Sequence, residues 1–176
     1  MLLRKINAVI SLLITALLLF HAIILSVWML SKGAVPISDN AAPWILTVLV
    51  ALHAFISLDL AIAAHEGAEK RKVRSYGKLN RATVFQRISG ILMLVFVPLH
   101  VANFSGFLHL PKIVFATVPL VFFTIVLVHV AVSTSKAFVT LGIGNARFIK
   151  IVDVVAKVIS LATLIAALTG FYTFIV

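Results

Sequence analysis

Six histidines, His21, His53, His65, His100, His109 and His129, are the residues of this sequence best suited to chemistry. Four of them, His21, His53, His100 and His129, fall one to each of four successive long apolar runs. An ionisable side chain within hydrocarbon is costly, and it usually faces the interior of a helix bundle for a functional reason. Histidine is also the standard axial ligand of haem iron. A single intramembrane histidine is equally well explained by one interhelical hydrogen bond. Four on four successive helices point instead to a shared task, the holding of two b-type haems.

Depth sorts the four into pairs, because two ligands of one haem must sit level in the membrane. His21 lies eleven residues before Lys32 and His100 eleven before Pro111, on helices that run the same way. His53 precedes Glu66 by thirteen residues and His129 precedes Gly142 by thirteen, on helices that run back. The first two define one level and the second two another. At about 1.5 Å per residue, His65 sits about 18 Å beyond His53, at the membrane surface, and is the poorer partner for His129. The expected axial pairs are His21 with His100 and His53 with His129. Two redox centres stacked in this way give electrons a short route across the bilayer. A zinc or copper site needs ligands converging on one point, which four histidines on two levels do not supply.

Haem propionates are anionic and need donors toward the water. Lys136 lies seven residues beyond His129, two turns along the same face. Ser89 and Gln86 lie eleven and fourteen residues before His100, and Asn7 fourteen before His21, nearly in line with their histidines at about 100° per residue. These four are candidate propionate contacts; otherwise Lys136 snorkels and the others cap helix ends. Asp59, about 120° around the helix from His53, is a proton-path or polar packing residue. His65 and Glu66 read as solvated end residues. His109 reads as interfacial, and its nearness to the level of His21 and His100 makes it a candidate quinone contact.

The elements that must position these side chains are set by composition. The chain has 176 residues, 62% hydrophobic and 11% charged, with mean hydropathy +1.20, far more apolar surface than a water-soluble domain of this size buries. Apolar runs at 6–30, 44–64, 88–110, 113–135 and 154–175 each supply the roughly 20 residues that cross about 30 Å of hydrocarbon. The expected fold is all-α: one transmembrane domain over 1–176, with helices at about 6–31, 44–66, 86–110, 112–142 and 150–175 and a four-helix haem-binding core. A barrel is excluded, because its strands alternate apolar and polar residues over about 10 positions. The first run follows Arg4 and Lys5 as a signal peptide would, but it is too long for an h-region and no A-x-A-like site follows, so it is read as helix one. Pro98 and Pro119 are expected kinks, tolerated in membranes.

The net charge of +10 is here a topology signal rather than a nucleic-acid footprint. Arg4, Lys5, Lys70, Arg71, Lys72, Arg74, Lys78, Arg81, Arg87, Lys136, Arg147, Lys150 and Lys157 fall on one side, and only Lys32 and Lys112 on the other. The positive-inside rule then puts the N-terminus in the cytoplasm and Val176 outside, in a cell inner or plasma membrane. His21 and His100 become the outer level, His53 and His129 the inner. The basic loop between helices two and three serves topology and anionic-lipid contact, or also docks a partner. The absence of cysteine removes iron–sulfur clusters, thiolate haem ligands, c-type haem attachment and disulfides from the chain. No repeat, P-loop, nucleotide-binding glycine fingerprint or catalytic triad is present.

The stretch 75–103, SYGKLNRATVFQRISGILMLVFVPLHVAN, resembles a segment of the single-chain dihaem cytochrome b anchors of succinate:quinone oxidoreductases and fumarate reductases. In that family a tyrosine-glycine loop leads into a QR-[IV]-[ST]-G motif and then a ligand histidine. The stretch 129–143, HVAVSTSKAFVTLGI, is similar to another family segment, as are RKINAVISLLITALLLFHA at 4–22 and LHAF around His53. The resemblance covers nearly the whole chain, with QRISG and its downstream histidine the most specific part. It implies His21, His53, His100 and His129 as axial ligands of two haem b groups. It further implies a flavoprotein subunit and an iron–sulfur subunit on the cytoplasmic face, with electrons exchanged with a membrane quinone, menaquinone or ubiquinone. The chain departs from the family after His53, where Phe55-Ile56-Ser57-Leu58-Asp59 replaces a glycine and aromatic residues, and in its unusually basic second loop. A haem b anchor for another quinone-linked reductase fits the same residues. A hydrogenase-type or formate-dehydrogenase-type subunit would carry a histidine pair on its last helix, which is absent here. A transporter using histidines as proton relays would show broken helices or inverted repeats, and a cofactor-free membrane-assembly protein is the remaining alternative.

Overall fold

The computed structural model describes residues 2–34, 41–70, 81–104, 107 and 111–175. Five helices account for nearly all of them: α1 (Leu2–Leu30), α2 (Ala41–Lys70), α3 (Arg81–Phe104), α4 (Lys112–Leu141) and α5 (Ala146–Ile175). No strand occurs among the described residues. Each helix contains an apolar stretch of 21 residues or more, which at about 1.5 Å per residue reaches the roughly 30 Å of a hydrocarbon core. Their outward faces carry large exposed apolar side chains such as Phe55, Val48, Ile91 and Leu161. A water-soluble monomer does not tolerate apolar patches on this scale. Against lipid they are matched, and the chain has the form of a multi-pass membrane protein.

α4 is the central helix, packed against α1, α3 and α5, while α1 also touches α2 and α5. α2 therefore joins the bundle chiefly through α1, and α3 chiefly through α4. In lipid the apolar effect does not drive helices together, so close approach and interhelical hydrogen bonds must do it. On α1 the buried positions Ile14, Leu18, Ala22 and Ser26 recur every four residues and form one ridge. Where that ridge meets α5, a Cβ on Gly170 would come within 3.3 Å of Met29 Cβ and 3.4 Å of the Ser26 carbonyl. Glycine is thus what lets the two backbones meet. Leu18, Val126 and Val130 form the innermost cluster, with Leu46, Met93 and Phe122 packed on it from α2, α3 and α4.

The turn between α4 and α5 is fully determined by its residues. Gly142 takes φ +74°, the left-handed conformation that closes a helix. Its N–H donates to the Val139 carbonyl and that of Ile143 to the Phe138 carbonyl, both at 3.1 Å. Gly144 has φ +87°, and a Cβ there would collide with Phe148. Asn145 Oδ1 then accepts from the Phe148 N–H at 2.9 Å, capping α5.

The helices run further than the apolar runs that announce them. α3 begins at Arg81 rather than 86, α2 continues to Lys70 rather than 66, and α5 begins at Ala146 rather than 150. Apolar counting stops at the first charges, whereas a helix continues through the headgroup region where lysine and arginine are well solvated. At its other end α3 stops at Phe104, short of 110, and Phe107 is not helical. Pro98 and Pro119 both lie inside continuous helices.

Candidate functional site

The side of α3 that meets α4 carries Gln86, Ser89 and Gly90, and the facing side of α4 carries His129. Ser89 is 5% exposed. Its hydroxyl donates to the Phe85 carbonyl at 2.6 Å, and its oxygen lies 3.0 Å from His129 Nδ1. A Cβ on Gly90 would reach van der Waals contact with the same ring, 3.5 Å from Cε1. The Gln86 backbone carbonyl also approaches the imidazole. His129 is thus held by one side on α3.

His53 of α2 is the histidine that His129 feels electrostatically. Nδ1 of His53 is buried without a hydrogen-bond partner among the described residues, a condition that ordinarily costs about 1–3 kcal/mol. One turn further along α2, Ser57 Oγ accepts from Asn7 Nδ2 at 3.0 Å, which ties α2 to α1 beside the ring.

The second pair lies toward the other end of the bundle. His100 of α3 lies within electrostatic reach of His21 of α1, and its ring sits 4.8 Å from that of Phe122, tilted by 38°. That contact fixes the spacing of the pairs. Phe122 is seven residues from His129 on α4, and Gly90 ten residues from His100 on α3, so the levels are about 10 Å apart along one helix and about 15 Å along the other. Leu18 and Val126 of the innermost cluster lie between them.

Lys136 closes the α3–α4 seam at the end of the bundle that also carries Arg4, Lys5, Arg87, Arg147 and Lys150. Its ammonium donates to Gln86 Oε1 at 2.7 Å and to Thr83 Oγ1 at 3.2 Å. Two of the candidate propionate contacts, Lys136 and Gln86, are therefore hydrogen-bonded to each other. The other two are engaged elsewhere, Asn7 with Ser57 and Ser89 with His129. Asp59 lies on the exposed outer face of α2 and takes no part in the packed interior. The side chains of His65 and Glu66, and His109 entirely, lie outside the described residues.

Several buried or half-buried polar groups carry no distinctive signal in the sequence or were passed over there. Asn103 is 2% exposed, one turn beyond His100 on α3. Ser135 of α4 donates to Asp153 of α5 at 3.3 Å, and Asp153 also pairs with Lys157. The signal for Asp153 was available, since it is an acid set among Ile151, Val152, Val154 and Val155. Ser57 and Thr83 offered none, because a lone hydroxyl in an apolar helix usually bonds its own backbone.

What the arrangement offers chemically is two imidazoles within electrostatic reach of each other at each of two depths. Among the described residues no three of His, Cys, Asp or Glu gather as a multidentate metal site would require. Fold and composition together define an all-helical, multi-pass membrane protein, with histidines of neighbouring helices near one another in its interior. Comparison with protein-family models, with characterised proteins and with solved structures gives no match for this chain.

Proposed function

We propose that this protein is a dihaem cytochrome b membrane anchor of the succinate dehydrogenase and fumarate reductase type, linking an iron–sulfur subunit to membrane quinone. The observation that carries the proposal is the nearness of His21 to His100 and of His53 to His129, each within electrostatic reach of the other, at two levels of one bundle. Two imidazole nitrogens opposed across a bundle interior are the donor set of a bis-histidine haem.

When bound, each haem supplies a one-electron iron couple. The residues of the chain do the rest. The four histidines would hold the irons, and Ser89 and Gly90 seat one of the rings. Lys136 and Gln86 offer an ammonium and an amide at the basic end, where an inner propionate needs donors. The excess of Lys and Arg on that side assigns it to the cytoplasm, and with it the face where a flavoprotein and an iron–sulfur partner dock. The step from haem to succinate or fumarate rests on the likeness of 75–103 and 129–143 to the anchor family.

The deciding experiment is a reduced-minus-oxidised visible spectrum of the purified chain with pyridine haemochrome stoichiometry. A b-type α-band with two haems per chain is expected. No α-band sinks the proposal, and one haem per chain sinks the paired arrangement. Purification in mild detergent tests the partner, which is expected to bring down a flavin-bearing subunit.

A further inference from the structure

We propose that Ser89 is a positioning residue that selects the tautomer of His129, holding the lone pair of Nε2 toward the bundle interior; this rests on the haem proposal for what Nε2 would bind. A serine hydroxyl has one proton. Here that proton is directed to the Phe85 carbonyl at 2.6 Å, with the Gln86 carbonyl at 3.2 Å as its second acceptor. Toward His129 Nδ1, 3.0 Å away, Ser89 therefore has only lone pairs to offer. With the serine proton so directed, Nδ1 is the nitrogen that carries the proton. In neutral imidazole the other nitrogen then carries the free lone pair, and that nitrogen is the one able to ligate a metal.

Hydroxyls in apolar helices commonly bond the carbonyl four residues back, as Ser26, Thr124, Ser133 and Thr134 do here. Ser89 does the same and in addition meets a ring nitrogen on another helix. Gly90 leaves the ring room to lie close to α3. His53 has no such partner on its Nδ1, although the Asn7 backbone approaches its ring, so the two are held differently: His129 meets a hydroxyl of α3 at Nδ1 and His53 does not. An acceptor on the distal N–H raises the basicity of a ligand nitrogen, which stabilises the oxidised state of whatever iron it binds.

The test uses the full chain in lipid vesicles, labelled with ¹⁵N-histidine and reduced so that any bis-histidine iron is diamagnetic. His129 is identified as the resonance missing in His129→Gln. It is expected as the Nδ1–H tautomer in the native chain and in Ser89→Thr, and to gain the Nε2–H form or lose its strongly hydrogen-bonded proton shift in Ser89→Ala. A native His129 in the Nε2–H form, or a spectrum unchanged by Ser89→Ala, overturns the inference whether or not haem is present. In the haem-loaded chain, Ser89→Ala is expected to raise the midpoint potential of one haem and leave the other unmoved, with Ser89→Thr restoring it. Two haems whose potentials ignore Ser89 overturn the inference while leaving the haem proposal standing; a chain without haem but with the native tautomer does the reverse.

Discussion

Lys136 of α4 donates to the side-chain oxygen of Gln86 on α3 at 2.7 Å, seven residues beyond His129 on one helix and three residues before Ser89 on the other. The same two helices thus meet twice, once through a ring and once through a cation.

Replacing that cation separates its two effects. Lys136→Met removes interhelical hydrogen bonds to Gln86 and Thr83, each worth about 0.6 kcal/mol on average in a membrane and at most about 1.7. A fall of a few degrees in the thermal midpoint in detergent is expected. Loss of a nearby positive charge also disfavours the reduced state, so the potential of one haem falls while the other holds. Lys136→Arg is expected to retain most of both, as read by potentiometric titration and thermal unfolding.

Histidine substitutions are expected to empty one level at a time. His53→Ala and His129→Ala lose the same haem, His21→Ala and His100→Ala the other, and His65→Ala neither. Haem stoichiometry together with the low-spin EPR signals of the remaining centre checks this. Loss of both haems in each of the four variants, with the chain still folded, would contradict two independent levels.

At the α1–α5 contact, Gly170→Ala requires its neighbours to yield by a few tenths of an ångström, because its Cβ would stand 3.3 Å from Met29 Cβ. Gly170→Leu forces the helices apart and is expected to cost about 1–3 kcal/mol, the usual range for overpacking. Thermal unfolding measures both, and the haem α-band should keep its wavelength in each.

Sidedness can be read directly, since the chain has no cysteine to remove. Phe107 is 87% exposed, and Leu3 and Ile143 are exposed at the basic end. In intact cells a membrane-impermeant maleimide should label Phe107→Cys at once, and Leu3→Cys and Ile143→Cys only after permeabilisation. The opposite pattern would invert the orientation.

The helices were legible because twenty apolar residues in succession have few alternatives in a membrane. Their ends were not, because Arg81 or Lys70 reads as an interruption although a helix passes through such residues in the headgroup layer. The level of each histidine could be anticipated from residue counts, since depth along a straight helix is linear in sequence. Rotation between helices could not. Asn7 and Ser89 stand in phase with His21 and His100 on their own helices, yet Asn7 bonds Ser57 and Ser89 meets His129. Helical phase says which residues share a face; it does not say which helix that face will meet. Asn103 and Ser135 are single polar residues without a periodic partner, and only the packed neighbours reveal that they are buried.

The turn at residues 142–145 has a consequence for α5, which carries no histidine. Its two left-handed glycines and the Asn145 cap leave little slack, so the rotational phase of α5 is locked to that of α4. One inserted residue would turn α5 by about 100°, carrying Asp153 away from Ser135 and Gly170 away from Met29. Loops ordinarily absorb insertions, whereas here the error would travel some thirty residues along a helix. The fifth helix works as a splint, and the length of a four-residue turn decides whether it is set straight.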